Sequence, residues 1–227
     1  MIKENPKDLV PTFFNNTSNS YDDIVHWTTF GKDSLWKHKI LEQLSDEKTV
    51  LDLACGTGIL TKQIAKKLPQ AKITGVDITK NYLEKAKEKL ISYPNIFFVN
   101  QDAEKLNLAK KFDCITTSYL PKYCTSKILI ENCIEHLNVG GKIILHDFTY
   151  PKNFFVQKMW NLYFKVLYFL GFFIPNWKNV FVDLPSLIRT TNWVKEYEET
   201  MRDYGMTVHR QDLTWGTSSI IVGTKTA

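Results

Sequence analysis

Apolar and polar positions follow two different periods along the chain, and together they predict an ordered series of strands and helices. Short apolar runs bounded by turn residues predict four buried strands, at 49–53, 71–76, 96–99 and 112–117. Apolar side chains at helical spacing predict three helices around them, at 57–68, 79–90 and 126–137. Thr79 is the expected N-cap of the second helix. This alternation favours a parallel sheet with right-handed crossovers and helices on both faces.

Residues 1–47 precede the first strand and have the pattern of amphipathic helices. Asp33 or Ser34 is the expected N-cap of the clearest of these helices, which begins at Leu35. We therefore expect this part of the chain to form a helical cap beside the sheet.

The second half of the chain adds a fifth strand, a helical region and a terminal hairpin. Gly140–Gly141 predicts a turn before a strand at 142–148. A helix within 184–204 is expected to end at Gly205. A short Trp215–Gly216 turn joins the last two predicted strands, at 206–213 and 218–222. Strands joined so closely predict an antiparallel pair at one edge of the sheet.

Composition excludes several protein classes. The chain is 44% apolar and 23% charged, which excludes disordered, collagen-like and disulfide-scaffold proteins. The net charge is +5, but no block of Lys or Arg dominates a segment, so we expect no nucleic-acid partner. The four cysteines form no C-x-x-C pair, which indicates reduced thiols and no metal site: Cys55, Cys114, Cys124 and Cys133. The first residues lack the apolar core of a signal peptide.

Aromatic residues make up 13% of the chain and are concentrated in its second half, above all at 154–175. This segment does not predict a membrane span, because polar and charged residues interrupt it. Lys158 and Lys165 are seven residues apart and share one helix face with Asn161. A broad apolar face opposite this polar stripe fits three structures: a buried helix, a wall that binds lipid, or a helix at a membrane surface.

A glycine-rich turn provides the strongest local signal. Residues 50–60, VLDLACGTGIL, run from a buried strand through a Gly-x-Gly turn into a helix. Gly56 and Gly58 would allow positive φ angles and a close approach of the backbone to a ligand. A dinucleotide fingerprint requires a third glycine, but Thr61 stands there. Asp52 favours a ligand that carries a cation over a pyrophosphate, and a purely structural turn is the alternative.

Two further acids follow the next strands. Asp77 ends the second strand, where a carboxylate can accept both hydroxyls of a ribose. Asp102 follows the third strand and could accept a hydrogen bond from an exocyclic amine such as that of adenine. Separately, Asp77 could only cap a helix and Asp102 could only be a turn residue. Since the carboxyl ends of parallel strands share one edge, the three signals together predict an adenosine ligand with a positive charge near Asp52.

These residues resemble the class I S-adenosylmethionine-dependent methyltransferases. Residues 21–37 also resemble the N-terminal signature of the ubiquinone/menaquinone biosynthesis C-methyltransferases, at Tyr21, Asp22, Gly31, Leu35, Trp36 and Lys37. Similarity continues through FDCITTS at 112–118, Leu137–Lys142, and Leu213–Gly216, so the resemblance covers about the whole chain. It implies a Rossmann-like, seven-stranded, mostly parallel sheet with an antiparallel C-terminal edge strand, and a helical insertion after the fifth strand.

The resemblance also implies a cofactor, an activity and a set of contacts. The cofactor would be S-adenosylmethionine, with S-adenosylhomocysteine as product, and the reaction would be C-methylation of a demethylmenaquinone-like prenylated hydroquinone. Tyr21 and Lys37 would cover the methionine end. The expected cofactor contacts are Tyr21, Lys37, Asp52, Ala54, Cys55, Gly56, Thr57, Gly58, Asp77, Ile78, Asp102, Ala103 and Ser118.

The sequence departs from the family pattern near the expected acceptor. Lys122 and Tyr123 replace an Arg and an Asn after the fourth strand, and Cys55 replaces a glycine of the loop. After the fifth strand, Asp147 begins DFTYP where the family has Glu-Phe-Ser-Lys-Pro. Two alternatives therefore stay open: a methyltransferase that acts on nitrogen or oxygen of another small molecule or lipid, and a non-catalytic cofactor-binding partner protein. A nucleotide-dependent oxidoreductase and an RNA methyltransferase fit the motifs less well.

Carbon methylation of a hydroquinone requires a group that accepts or screens the hydroxyl proton, because the phenolate makes the ortho carbon nucleophilic. His146 has the intrinsic pKa for this role, with a hydrogen-bonded structural histidine as the alternative. Lys122 would stabilise the phenolate, or would be a solvated charge. The full set of catalytic candidates is His146, Lys122, Tyr119, Tyr123 and Asp147.

The length of 227 residues predicts a single methyltransferase domain. We expect four parts in it, a helical cap, a cofactor-binding core, an aromatic-rich helical lid and a closing hairpin, at 1–47, 48–148, 149–204 and 205–227. The expected partner is a hydrophobic small molecule, with peripheral membrane contact and a homodimer left open. We expect the protein to be cytoplasmic, and a peripheral location at the inner face of the membrane stays open.

Overall fold

A seven-stranded sheet forms the centre of the computed structural model, which describes residues 6–14 and 17–226. Strands β1 to β7 are Thr49–Leu53, Lys72–Asp77, Ile96–Asn100, Phe112–Ser118, Leu137–Phe148, Met206–Leu213 and Ser218–Lys225. Their order across the sheet is β3-β2-β1-β4-β5-β7-β6. Strands β1 to β5 pair in parallel, whereas β7 is antiparallel to both β5 and β6. The predicted fold class is confirmed, with β6 as the outermost strand of the C-terminal pair.

Helices surround the sheet because strand residues alternate between its two faces. In the described residues, helices α1 to α9 are Leu9–Phe14, Tyr21–Thr28, Lys32–Glu42, Ile59–Lys67, Lys80–Lys89, Ser126–Glu135, Phe154–Leu170, Lys178–Thr190 and Trp193–Asp203. Leu51 and Leu53 of β1 point into a core that α6 and α9 close, with Trp193 and Tyr197. Val50, on the opposite face, packs in a second core with α3 and α4.

Helix α3 begins at Lys32, three residues earlier than the sequence indicates. Its N-cap is Gly31, at φ 71°, and not Asp33 or Ser34. Asp33 does not serve as the cap because its side chain is buried and pairs with Lys37 and with the hydroxyl of Tyr119. The prediction of the N-cap was therefore wrong, and Asp33 instead joins α3 to the end of β4.

The expected turn at Gly140–Gly141 is also absent from its predicted place, since both glycines lie inside β5. Phe112 pairs with Leu137 while Cys114 pairs with Lys142, so β5 contains extra residues between these two pairs. Gly140 has φ +76°, and the strand absorbs the extra residues as a bulge. In the C-terminal half, the helix expected within 184–204 and ended by Gly205 is α9, and a further helix, α8, precedes it.

A third apolar cluster covers the carboxyl ends of the strands. It combines Phe13 of α1, Tyr123 after β4, Leu167 of α7 and Phe181 of α8. The cap and the segment after β5, which are distant in sequence, therefore meet above the edge at which the sequence predicts a ligand.

Helix α7 is not a buried helix, which was one of the three interpretations of its pattern. In this helix only Trp160 and Leu167 are fully buried, although most of its side chains are apolar. Across residues 6–14 and 17–226, no helix combines the length and the hydropathy that crossing a membrane requires.

Candidate active site

The loop between β1 and α4 turns sharply by means of left-handed backbone conformations. Ala54, Gly56 and Gly58 have φ angles of 51°, 57° and 84°. The positive φ favours glycine at Gly58, and a Cβ atom there would also lie 2.7 Å from Cδ1 of Leu90 and displace that side chain. The backbone N–H of Gly56 donates to Oδ2 of Asp77 at 2.8 Å, which joins the loop to the end of β2.

Asp77 lies at the carboxyl end of β2 and borders a cavity of about 490 Å³. Its Oδ1 accepts the backbone N–H of Thr79 at 2.8 Å, and its Oδ2 accepts that of Gly56. Burial raises the pKa of Asp77, while these backbone donors oppose the shift. Each carboxylate oxygen has a second lone pair, so two hydroxyls of a ribose can still be accepted.

Asp102 borders the same cavity after β3. Its Oδ1 accepts the backbone N–H of Glu104 at 3.0 Å, and its Oδ2 pairs with the ammonium of Lys7. The same ammonium lies 2.8 Å from Oε2 of Glu104. Asp102 is therefore already engaged by a residue from the start of the chain.

Asp52 lies deeper, beside a small cavity of about 30 Å³. Its carboxylate accepts hydrogen bonds from the hydroxyls of Thr61, at 2.6 Å, and Thr116, at 3.0 Å. Burial raises the pKa of Asp52 to about 6, and these two hydroxyls oppose the shift. Asp52 thus connects the first turn of α4 to β1 and β4 as well as facing the small cavity.

The two cavities bring together twelve of the thirteen residues expected to contact the cofactor. The larger one is bordered by Tyr21, Ala54, Gly56, Asp77, Ile78, Asp102, Ala103 and Ser118. The smaller one adds Lys37, Asp52, Cys55 and Thr57. Gly58 borders neither cavity and acts through the loop conformation. The hydroxyl of Thr57 donates to Oδ1 of Asp22 at 2.5 Å, which ties α2 to the loop.

Sequence reasoning missed several residues of the larger cavity, and two of them lie in short segments near the start of the chain. Lys7 belongs to a short 3-10 helix, and Phe14 ends the six-residue helix α1. The ring of Phe14 makes edge contacts with Tyr21 and Tyr82, at 6.2 and 5.8 Å between centroids. Segments this short carry no clear helical period, so no sequence signal connected these residues with the strand ends.

A second cavity of about 370 Å³ lies beside the first and has almost entirely apolar walls. Its walls come from α2, α3, α7, α8 and the turn after β6. Four aromatic side chains border both large cavities, namely Phe14, Tyr21, Tyr119 and Tyr123. The molecule therefore has a polar cavity and an apolar one with a shared aromatic wall.

Tyr119 occupies a strained position in this wall. Its φ is 72°, in the left-handed region that tyrosine rarely adopts. Its hydroxyl donates to Oδ1 of Asp33 at 2.7 Å, and the ammonium of Lys37 lies 4.9 Å from its ring centroid. Burial, followed by the charge of Asp33, raises the pKa of Tyr119 well above its usual value, so it is a neutral phenol. Burial does the same to Tyr123.

Lys122 and Asp147 form a buried ion pair beside the apolar cavity. Nζ of Lys122 lies 2.7 Å from Oδ1 of Asp147 and donates to the carbonyl of Tyr119 at 2.9 Å. The backbone N–H of Lys122 donates to Oδ2 of the same carboxylate at 3.0 Å. Burial lowers the pKa of Lys122 and raises that of Asp147, and the two charges oppose both shifts. Lys122 borders the apolar cavity, whereas Asp147 lies behind it.

His146 borders none of these cavities. Its Nδ1 and Nε2 lie 2.8 Å from the hydroxyl oxygens of Ser118 and Ser218 respectively. Because the Ser218 hydroxyl donates to the carbonyl of Asp147, it accepts from Nε2–H, and Nδ1 accepts from Ser118. Burial lowers the pKa of His146 well below its usual value, and the charges of Lys37 and Lys122 add to the shift. This placement favours the alternative of a neutral structural histidine.

A model of the ubiE/COQ5 methyltransferase family matches residues 1–225. The chain belongs to this family. S-adenosylmethionine is the cofactor of this methyltransferase, as the resemblance implies. The larger cavity fits such a molecule, because carboxylates from three strand ends lie in or beside a space of about 490 Å³.

Two curated relatives of the methyltransferase are named demethylmenaquinone methyltransferase. The one from Lactococcus lactis subsp. lactis (strain IL1403) is 32% identical over 182 residues, which cover 75% of this chain and 71% of the relative. The one from Staphylococcus aureus (strain JH9) is 29% identical over 167 residues, covering 70% and 68%.

Solved structures share the fold of the methyltransferase at low sequence identity. The N-methyltransferase NodS from Bradyrhizobium japonicum WM9, in complex with S-adenosyl-L-homocysteine, is 12% identical with a TM-score of 0.62 over 98% of this chain and 99% of that one. The plantazolicin methyltransferase BpumL is 15% identical with a TM-score of 0.66, over 98% and 95%. The chain spans 57% of the methyltransferase SibL, with a TM-score of 0.63, 16% identity and 88% of this chain covered.

Proposed function

We propose that this methyltransferase methylates a ring carbon of a demethylmenaquinone-like prenylated hydroquinone. The observation that carries the proposal is the apolar cavity, which shares an aromatic wall with the cofactor cavity. An aromatic acceptor with a hydrocarbon tail matches its apolar walls. The names of the curated relatives support the same acceptor.

Lys122 is the group that we assign to the acceptor oxygen. S-adenosylmethionine supplies an electrophilic methyl on a sulfonium. Loss of the hydroxyl proton from the hydroquinone makes its ortho carbon nucleophilic, and the ammonium of Lys122 stabilises the phenolate through charge and hydrogen bonding. Asp147 and the Tyr119 carbonyl hold this ammonium at the wall of the cavity. The new carbon–carbon bond forms as the carbon–sulfur bond breaks, and the ring then loses its proton to water.

The cofactor contacts are part of the same proposal. Asp77 accepts the ribose hydroxyls, Asp102 accepts the adenine amine, and Tyr21 with Lys37 covers the methionine end. The position of these side chains around two neighbouring cavities that share lining residues supports the assignment. A prenylated acceptor partitions into bilayers, so we also assign the protein to the cytoplasm with a peripheral contact at the membrane.

The acceptor is tested with purified enzyme, S-adenosylmethionine and chemically reduced demethylmenaquinone of short prenyl length. We expect a product heavier by one methylene, with the new methyl on the ring carbon by mass spectrometry and NMR. Methylation of amine or hydroxyl acceptors without any reaction of the hydroquinone would refute the proposal. A normal methylated quinone pool in cells that lack this protein and any redundant enzyme would do the same.

The role of Lys122 is tested separately, by comparing Lys122→Met with Lys122→Arg. We expect Lys122→Met to lower turnover by about two orders of magnitude, as for loss of one stabilising donor, with unchanged affinity for S-adenosylhomocysteine. Lys122→Arg keeps the positive charge and should recover part of the turnover. Equal turnover in Lys122→Met and the wild type would remove Lys122 from the mechanism.

A further inference from the structure

The outer face of α7 exposes large apolar side chains that no other part of the described chain covers. Phe155, Leu162 and Phe169 are spaced by seven residues and form one row along the helix. Met159 and Val166 lie beside this row, and Phe172 and Phe173 continue it past the end of α7. Phe155 is 75% exposed and Phe173 is 83% exposed. We call these seven side chains the α7 face.

An exposed apolar surface of this size marks a site of association. The inner face of the same helix is also apolar, with Trp160 and Leu167 buried. Folding therefore accounts for one side of α7 only, and the other side requires a second apolar environment.

Charge around the α7 face identifies that environment. No Asp or Glu occurs between Asp147 and Asp183, and the cationic residues in that interval are Lys152, Lys158, Lys165 and Lys178. Lys158 lies 4.4 Å from the ring centroid of Phe154, and Lys178 lies 5.2 Å from that of Phe172. Lysines at the margin of an aromatic surface are typical of helices that lie in the plane of an anionic membrane.

The opening of the apolar cavity faces the same side of the molecule. Met159 belongs both to the α7 face and to the wall of that cavity. Phe30 and Trp215, which are 78% and 80% exposed, complete the rim. A molecule that entered the cavity from this side would leave a hydrocarbon environment and enter another one without crossing water.

We infer that the α7 face docks on an anionic bilayer, parallel to its surface, and opens the acceptor cavity toward the acyl chains. The inference rests on the proposed function and deepens it, because a prenylated acceptor lies in the bilayer on which the α7 face docks. A second copy of this chain fits the surface less well. A twofold contact through α7 would bring the lysines of both copies together, and the segment has no acid to pair with them.

Docking is tested without any acceptor, by sedimentation of the full chain with phosphatidylglycerol vesicles and with phosphatidylcholine vesicles. We expect binding to the anionic vesicles, which weakens as salt is added, and weaker binding to the neutral ones. The variant Phe155→Ser/Phe169→Ser should lower the partition coefficient at least about tenfold, because each ring loses burial in the membrane. The variant Lys158→Gln/Lys165→Gln should lose the preference for anionic vesicles.

The matched control is Ile91→Ser/Val139→Ser, which removes two other exposed apolar side chains, 87% and 70% exposed, one after α5 and one in β5. It should bind vesicles like the wild type, and all variants should keep their affinity for S-adenosylhomocysteine. Equal vesicle binding by Phe155→Ser/Phe169→Ser and the wild type would overturn the inference. A dimer that the same substitutions dissociate in the absence of lipid would also overturn it.

Activity separates this inference from the proposed function. With a short-chain hydroquinone in detergent-free buffer, Phe155→Ser/Phe169→Ser should turn over like the wild type, whereas with vesicle-embedded acceptor it should be slower. If the wild type methylates neither hydroquinone but binds anionic vesicles through α7, the proposed function fails and the docking surface stands.

Discussion

The two large cavities of this methyltransferase are built in opposite ways. The larger cavity, to which we assign the cofactor, is formed mainly by loops at the ends of neighbouring strands and is held by hydrogen bonds from Gly56, Thr79 and Glu104 to two carboxylates. The apolar cavity, to which we assign the acceptor, is formed mainly by side chains of helices and is bordered by Lys122, which pairs with the buried Asp147 behind it. Chemistry that depends on fixed polar atoms therefore lies on the rigid sheet, whereas the fit to a hydrocarbon depends on how helices pack.

The largest effect is expected from a substitution that breaks the buried Lys122–Asp147 ion pair beside the apolar cavity. Asp147→Ala leaves the ammonium of Lys122 buried without its carboxylate, and should lower the free energy of unfolding by about 3–5 kcal/mol. Denaturant titration measures this loss. The double variant Lys122→Met/Asp147→Leu should be more stable than Asp147→Ala, because it buries no unpaired charge. Glu88→Ala, which breaks the exposed pair with Lys85, serves as the control and should change stability by less than about 0.5 kcal/mol.

A smaller loss of free energy is expected from substitution of Asp77, which borders the larger cavity. Asp77→Ala removes a buried carboxylate that anchors Gly56 and faces the cavity, and should weaken binding of S-adenosylhomocysteine by about 3 kcal/mol, roughly a hundredfold. Calorimetric titration gives the affinity. Asp113→Ala is the matched control, since Asp113 accepts backbone hydrogen bonds from Lys48 and Thr49 at the other edge of the sheet. Equal affinity in the wild type and Asp77→Ala would contradict the assignment of this cavity.

The raised pKa of Asp52 predicts that the free energy of unfolding depends on pH. Its pKa is raised to about 6 by burial, so the folded state holds the proton more tightly than the unfolded state. Protonated Asp52 therefore contributes its full stabilisation to the folded state at low pH. This contribution is lost as the pH rises through about 6. Between pH 4 and pH 7, the wild type should lose about 2–3 kcal/mol relative to Asp52→Asn, which cannot ionise. A difference that is independent of pH would show that Asp52 titrates normally.

The smallest change in stability is expected from substitution of His146, which lies between Ser118 and Ser218. His146→Gln keeps polar atoms near Ser118 and Ser218 and should lower the free energy of unfolding by about 1–2 kcal/mol. The pH profile of turnover should be the same in variant and wild type, because His146 borders neither large cavity. Loss of a titration near neutral pH in His146→Gln alone would restore this residue as the general base.

The cofactor side was accessible from the sequence because its signals are local. Strand, turn and helix follow one another within residues 50–60, and parallel pairing brings Asp52, Asp77 and Asp102 to the same edge of the sheet. Lys7 and Phe14 could not be predicted in the same way, since they contact residues far along the chain, Asp102 and Tyr82 respectively. The four-part division of a single domain stays a prediction.

On the acceptor side, the sequence named the residues but not their arrangement. Lys122 and Asp147 were both candidates, but their pairing depends on β4 and β5 lying side by side. Asp33 was expected to cap a helix, whereas tertiary contacts direct it to Lys37 and Tyr119. A polar residue that has several possible partners is assigned only when the chain brings one of them close.

The sequence by itself determined the order of strands and helices, the glycine loop and the acids that follow the strands, because each depends on neighbouring residues and on backbone period. Only the tertiary structure decided that α7 exposes one apolar face and buries the other, since the same periodic pattern fits both environments. It also decided that His146 is enclosed and Lys122 faces the apolar cavity. Burial and pKa depend on what the rest of the chain places around a side chain, and no local pattern contains that information.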